Sequence, residues 1–161
     1  MTQPPLAYPH PAGHHLNRPP NSDLHMTTGL ANNWALDFMA PGGTPFLCPQ
    51  DSMILRLSGH NPALGEVAPS IFGWNMYLVT SGGVIYFATH LGDRAAGEAL
   101  REHRVGDHVK RGDLLGHVGH WPNDPPRSHT HLGITHPAGK VAAVARIEAV
   151  AQATMLPFPP L

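Results

Sequence analysis

The chain has 161 residues, with 10 Lys+Arg against 11 Asp+Glu, a formal net charge of -1, and charged residues at only 13%. That length fits about one domain, and without a basic excess there is no electrostatic footprint for nucleic acid or an anionic membrane surface. One cysteine, Cys48, excludes an internal disulfide framework and a Cys-rich zinc knuckle; no apolar run approaches the roughly 18 residues of a membrane helix.

In chain order, residues 1–22 carry Pro4, Pro5, Pro9, Pro11, Pro19 and Pro20 and little apolar surface. Such a segment does not offset its ordering entropy, so an extended, flexible arm is expected there. No basic stretch followed by an apolar core opens it, so no leader peptide is expected. One globular domain is expected over 23–156, followed by a Pro-rich tail, 157–161.

The 17 glycines and 18 prolines imply many turns and short strands. Pro45–Cys48 and Met53–Leu57 are β-rich runs flanking a turn at 49–52. Asn75–Thr80 and Val84–Thr89 flank Ser81-Gly82-Gly83, which predicts a hairpin. Val105–Val109 and Arg111–Gly116 repeat a Gly-Asp turn, and His131–Thr135 is a further strand. Short strands with regular turns predict a mostly β fold, an antiparallel sheet or sandwich. A short surface helix is expected over 94–104. A second is expected over 140–155, where Val141, Val144, Ile147, Val150 and Ala151 recur at helical spacing.

Histidine is the compositional outlier, with 13 copies. His129-Thr130-His131 enters a strand, where residues i and i+2 share a face, so both imidazoles can converge on one volume. Two solvated polar residues would give the same pattern. His90 closes the run Tyr86–His90, where a hydrogen-bonded structural role is the plain alternative. Asp37 lies in Trp34-Ala35-Leu36-Asp37-Phe38; a carboxylate in an apolar segment is costly to bury unless paired or metal-bound, although a turn cap would also explain it.

The order of these pieces is more specific than any one of them. Asp37 is followed by Ala40-Pro41-Gly42-Gly43-Thr44-Pro45, then Tyr86–Leu91, the double turn Val105–Gly119 and His129-Thr130-His131-Leu132-Gly133. Over about 25–137 this resembles the lysostaphin/LytM-type zinc endopeptidases, which cut peptide bridges of bacterial cell walls. The resemblance implies a LytM or duplicated-hybrid-motif fold with the metal in a groove. It also implies Asp37 and His131 as zinc ligands, with His90 and His129 polarising the attacking water or stabilising the oxyanion.

The chain departs from the family at the first ligand. The family pattern H-x-x-x-D would place a histidine at position 33, where Asn33 stands, and an amide is a poor zinc ligand. His25, twelve residues before Asp37, is the expected replacement, with an absent first ligand or another histidine as the alternatives. Two imidazoles and a carboxylate leave a catalytic zinc one open position for water. Two further imidazoles would handle the protons and the developing oxyanion that the metal does not.

The remaining histidines are read plainly: His10, His14 and His15 solvated in the arm, and His60, His103 and His108 on surface loops. His117, His120 and Trp121 are candidates for a groove wall. Trp34, Trp74 and Cys48 are expected in the core. The expected partner is a peptidoglycan peptide, with no nucleic acid and no membrane span. A wall hydrolase without a leader would be carried on a virion or released by lysis, with phage tail components as further partners. The rival reading is a catalytically silent relative, a structural or wall-binding domain. The double turn also resembles a biotinyl or lipoyl carrier, but Lys110 lacks the flanking residues of a modified lysine.

Overall fold

The computed structural model describes residues 5–12, 24–26, 34–58, 74–92, 103–119 and 128–157. Among these lie nine strands and one helix: β1 His25–Met26, β2 Trp34–Met39, β3 Pro45–Leu47, β4 Ser52–Ser58, β5 Trp74–Val79, β6 Ile85–Leu91, β7 His108–Val109, β8 Leu114–His117, β9 His129–Thr135 and α1 Lys140–Ala151. Seven strands form one sheet in the order β1-β2-β9-β6-β5-β4-β7, and β3 pairs with β8 in a second. Every strand pairing is antiparallel. The mostly β, two-sheet architecture expected from the short strands is the one observed.

Alternation fixes which face of the large sheet is core. Leu36, Phe38, Met76, Leu78, Tyr86, Ala88, Leu132 and Ile134 belong to one buried cluster with Phe46, Leu115 and the helix residues Ala143, Ile147 and Val150. Their chain neighbours Ala35, Asp37, Phe87, Thr89, His131 and Gly133 fall on the opposite face, because successive side chains of a strand point to opposite sides. Each fully buried Phe or Leu contributes about 1.5–3 kcal/mol, so a one-residue slip of β2 or β9 would expose this set and is strongly disfavoured.

The expected hairpin forms between β5 and β6, closed by Thr80: its N–H donates to the Val84 carbonyl (2.9 Å) and its Oγ1 accepts from Val84 N–H (3.1 Å). The paired Gly-Asp turns share one device. Asp107 accepts from the Arg104 amide (2.8 Å) and Asp113 from the Lys110 amide (2.7 Å). Gly106 and Gly112 beside them have φ of 95° and 89°, a region open to glycine without strain. The 49–52 turn sends β3 and β4 into different sheets, joining the two layers.

Three expectations need correction. Residues 5–12 are not a solvated arm: Tyr8 and His10 are fully buried. Ala7 N–H donates to the Pro49 carbonyl (2.8 Å), Tyr8 N–H to Thr154 (3.1 Å), and Leu47 N–H to Pro9 (2.8 Å). His10 Nδ1 lies 3.0 Å from the Pro45 carbonyl, and the Tyr8 ring packs T-shaped on Phe38 with centroids 5.3 Å apart. The prolines preset an extended path, and Tyr8 supplies the apolar surface that the composition obscured. His14 and His15 lie outside the described residues.

The helical stripe is the expected one at Ile147, Val150 and Ala151 but departs from it at its N-terminal end, and the helix stops at Ala151 and not at 155. Ala143, Ile147, Val150 and Ala151 are buried, whereas Val141 is 83% exposed. At 3.6 residues per turn Val141 falls roughly 160° round the helix from Ala143, so it cannot share the buried face. The third correction is His108, which lies exposed in strand β7 and not on a loop. Residues 93–102 of the expected 94–104 helix lie outside the described residues, and His103 and Arg104 are not helical. Cys48 and Trp74 are buried, as expected.

Candidate metal centre

The sheet register assembles the site. Asp37 of β2 and His131 of β9 are direct cross-strand partners, and Thr89 of β6 is the partner of His131 on its other side. His129 lies two residues before His131 and opposite Met39. His25 of β1 is opposite Ala35, two residues before Asp37. Directly opposed residues share a face, so all four side chains emerge on the face turned away from the core.

The distances are short. His131 Nδ1 is 3.0 Å from Asp37 Oδ1 and 3.2 Å from His25 Nε2, and His25 Nε2 is 3.7 Å from Asp37 Oδ1. Among the described residues this trio is the one group of three His, Cys, Asp or Glu side chains placed to hold a metal ion. Zinc takes such ligands at about 2.0–2.2 Å, which puts the edges of its coordination tetrahedron at roughly 3.3–3.6 Å. The three observed edges straddle that range, and the donors are the imidazole and carboxylate types that zinc favours. The trio therefore fits a zinc ion.

The carboxylate is held ionised. Burial pushes the Asp37 carboxyl upward, but the His131 hydrogen bond and the charges of His129, His131 and His25 outweigh it and hold it below the usual carboxylate range. The Asp37 side chain retains 25% exposure and that of His25 37%, so the cluster is reachable from solvent. His131 is the most enclosed of the three; the Phe87 ring packs T-shaped against it at 6.2 Å, and its Nε2 is buried with no hydrogen-bond partner among the described residues.

His129 Nε2 is 3.8 Å from Asp37 Oδ1, and the His90 ring centroid is 4.6 Å from that of His129 and 6.2 Å from that of His131. His90 reaches this place by a backbone irregularity. Trp74 pairs with Leu91 and Met76 with Ala88, so two residues of β6, Thr89 and His90, face only Asn75 on β5. That is a β-bulge. His90 has φ 65°, the one positive value among the described non-glycine residues. The bulge interrupts the alternation, so Ala88 and Leu91, three apart, both lie in the core while the His90 ring meets His129.

The structure thus brings together all five residues singled out in the sequence, His25, Asp37, His90, His129 and His131. His117 lies in β8, its carbonyl accepting from Gly92 N–H (2.6 Å), and Trp34 is capped by Lys140 Nζ at 4.2 Å. Asn33, His60, His120 and Trp121 lie outside the described residues. Sequence reasoning missed Thr89, Asn75 and Phe87. The signal for the bulge was available: an apolar pair at three-residue spacing, Ala88 and Leu91, inside a strand of period two.

An antiparallel sheet thus carries a histidine–carboxylate cluster on its non-core face. No family model matches the chain, and no curated protein matches it in sequence. Solved structures match it in fold. A zinc-containing peptidase from Vibrio cholerae aligns at TM-score 0.55 and 15% identity, over 82% of this chain and 36% of that one. CbpA from L. salivarius REN aligns at 0.50 and 16%, over 88% and 84%. Lysostaphin from Staphylococcus simulans aligns at 0.48 and 14%, over 100% and 61%. The chain spans about a third of the length of the V. cholerae peptidase. The chain shares the fold of the V. cholerae zinc-containing peptidase and of CbpA.

Proposed function

We propose that the chain is a zinc-dependent endopeptidase that cleaves peptide bonds of bacterial peptidoglycan. The observation that carries this reading is the triangle of His25 Nε2, Asp37 Oδ1 and His131 Nδ1, with edges of 3.0, 3.2 and 3.7 Å. It supports His25 as the substitute for the histidine that position 33 lacks. The peptidoglycan substrate rests on the resemblance to lysostaphin-like enzymes.

His25, Asp37 and His131 would hold the ion. Zinc bound there supplies Lewis acidity toward a carbonyl and lowers the pKa of a water molecule. The chain's own imidazoles do the rest. His129 Nε2 lies 3.8 Å from the Asp37 carboxylate, beside the candidate ligands, placed to accept a proton from the attacking water and pass it to the leaving amine. His90, stacked edge-on with His129, is positioned to donate a hydrogen bond to the oxyanion of the tetrahedral intermediate. The backbone of the site is strand, which holds these groups more rigidly than loops would.

A wall substrate places the action outside the cytoplasmic membrane, and no helix among the described residues is long and apolar enough to cross one. Carriage on a virion or tail belongs to the proposal too; co-sedimentation of the chain with phage particles tests it. The activity is tested by incubating the protein with purified walls and reading the fragments by mass spectrometry. New amino termini that vanish with a strong chelator and return with Zn²⁺ are expected. Intact walls at every zinc level would leave the silent, wall-binding relative as the better reading.

A further inference from the structure

The bulge at His90 is not self-supporting. A non-glycine residue at φ 65° costs roughly 1–3 kcal/mol and persists only where its surroundings enforce it. Three contacts surround it. On one flank Thr89 Oγ1 donates a short hydrogen bond to Asn75 Oδ1, the single β5 residue that faces the bulge. On the other flank Gly119 N–H donates to the His90 carbonyl (2.8 Å), and Gly92 N–H donates to the His117 carbonyl (2.6 Å) around the Leu91–Val118 bridge. The approach at Gly119 is so close that a Cβ there would sit 2.4 Å from the Gly92 carbonyl oxygen. The Gly119 flank is main chain against main chain. The Thr89–Asn75 flank is set by side chains, and Thr89 is also the cross-strand partner of His131.

We infer that the Thr89–Asn75 hydrogen bond is the pin that fixes the bulge and thereby aims the His90 ring at His129, making Thr89 and Asn75 positioning residues of the site. Thr89 is 7% exposed. The hydrogen bond from its buried hydroxyl to Asn75 Oδ1 is directional and runs across the bulge. Without the pin, residues 89 and 90 would relax toward regular strand alternation, which turns the His90 side chain toward the core side and away from His129. The pin acts on the backbone of residues 89 and 90, whereas the candidate ligands lie on β1, β2 and β9, so its loss should change rate and leave zinc content unchanged. The kinetic part of this inference rests on the peptidase reading; the structural part does not.

The test uses the full chain with zinc. Thr89→Val keeps the shape and removes the hydroxyl, Thr89→Ser keeps the hydroxyl, and Asn75→Ala removes the acceptor. The expected result for Thr89→Val and Asn75→Ala is a kcat lower by about 10–100-fold, the order that misplacing a catalytic group costs, with KM and zinc content unchanged. Thr89→Ser should recover most of the rate. The double variant Thr89→Val/Asn75→Ala should lose no more than either single variant, since both break one interaction. Independently of activity, hydrogen exchange of the Gly119 amide, which is bonded to the His90 carbonyl, should accelerate in Thr89→Val and Asn75→Ala but not in Thr89→Ser. The amides of the β2–β9 ladder should keep their protection. Unchanged Gly119 exchange in Thr89→Val, a Thr89→Ser variant as impaired as Thr89→Val, or losses that multiply in the double variant would each overturn the inference. If the wild-type chain released no wall fragments, the peptidase reading would fail, and Gly119 exchange would still decide the pin.

Discussion

Replacing His90 by glycine and by alanine separates the two things that this residue does. Both variants delete the imidazole, so both should lose about 10²–10³ in wall-cleaving rate, the usual cost of removing an oxyanion donor. Their stabilities should differ. At φ 65° an L-residue pays roughly 1–2 kcal/mol for the left-handed conformation, and alanine inherits that cost from histidine. Glycine escapes it but gains conformational freedom in the unfolded chain, which costs about 0.5–1 kcal/mol. The difference leaves His90→Gly more stable than His90→Ala by roughly 0.5–1 kcal/mol. For a chain of this size that is about 1–4 °C in melting temperature, resolvable by calorimetry or by urea titration of the two variants side by side. An alanine variant as stable as the glycine variant, or more so, would refute the claim that the β6 bulge holds His90 under backbone strain.

Four further outcomes follow from the same structure. His129→Ala should keep zinc and lose rate, whereas His131→Ala should lose zinc; elemental analysis of the two proteins distinguishes them. Tyr8→Ala should destabilise the fold by about 3–5 kcal/mol, as large-to-small changes of buried aromatic residues do, because Tyr8 is fully buried on Phe38. A chemical-denaturation midpoint unchanged from wild type would return residues 5–12 to the status of a loose arm. Burial pushes the Cys48 thiol up from its ordinary 9.0 to about 12, so a thiol reagent should label it only as the protein unfolds. The same shift makes the thiol's contribution to stability constant below pH 9 and progressively less favourable from pH 9 toward 12, by at most about 1.4 kcal/mol per pH unit, because there only the unfolded thiol has lost its proton. Urea midpoints across that range read the slope, and a rise in stability with pH would contradict it.

The site was more legible than the frame around it. Asp37 and the His129/His131 pair could be read because strand period two is short-range information: i and i+2 share a face whatever the tertiary fold. His90 was legible as a residue but not as a conformation, since its place depends on Asn75 facing two residues across a bulge, a pairing that sequence order does not carry. His25 could be placed only by chemical need. What brings it to Asp37 is a two-residue strand paired through His25–Ala35 and Met26–Trp34, too short to leave a periodic signal. The N-terminal segment misled for a different reason. Proline density was read as disorder, yet Pro9 and Pro45 supply carbonyls to Leu47 and His10, and Tyr8 anchors the segment in the core. On α1 Ile147, Val150 and Ala151 were legible as the buried stripe, but it runs on through Ala143 and not through Val141, whose exposed position has no packing consequence.

The zinc content of the purified His25→Ala variant beside wild type tests the central claim most directly. His25 is the ligand by which this chain departs from the usual H-x-x-x-D spacing, and it completes the triangle with Asp37 and His131. About one zinc per wild-type chain is expected, since three protein ligands fix the ion, and almost none in the variant, since two rarely do. A His25→Ala protein that retains its zinc would contradict the assignment of the metal centre.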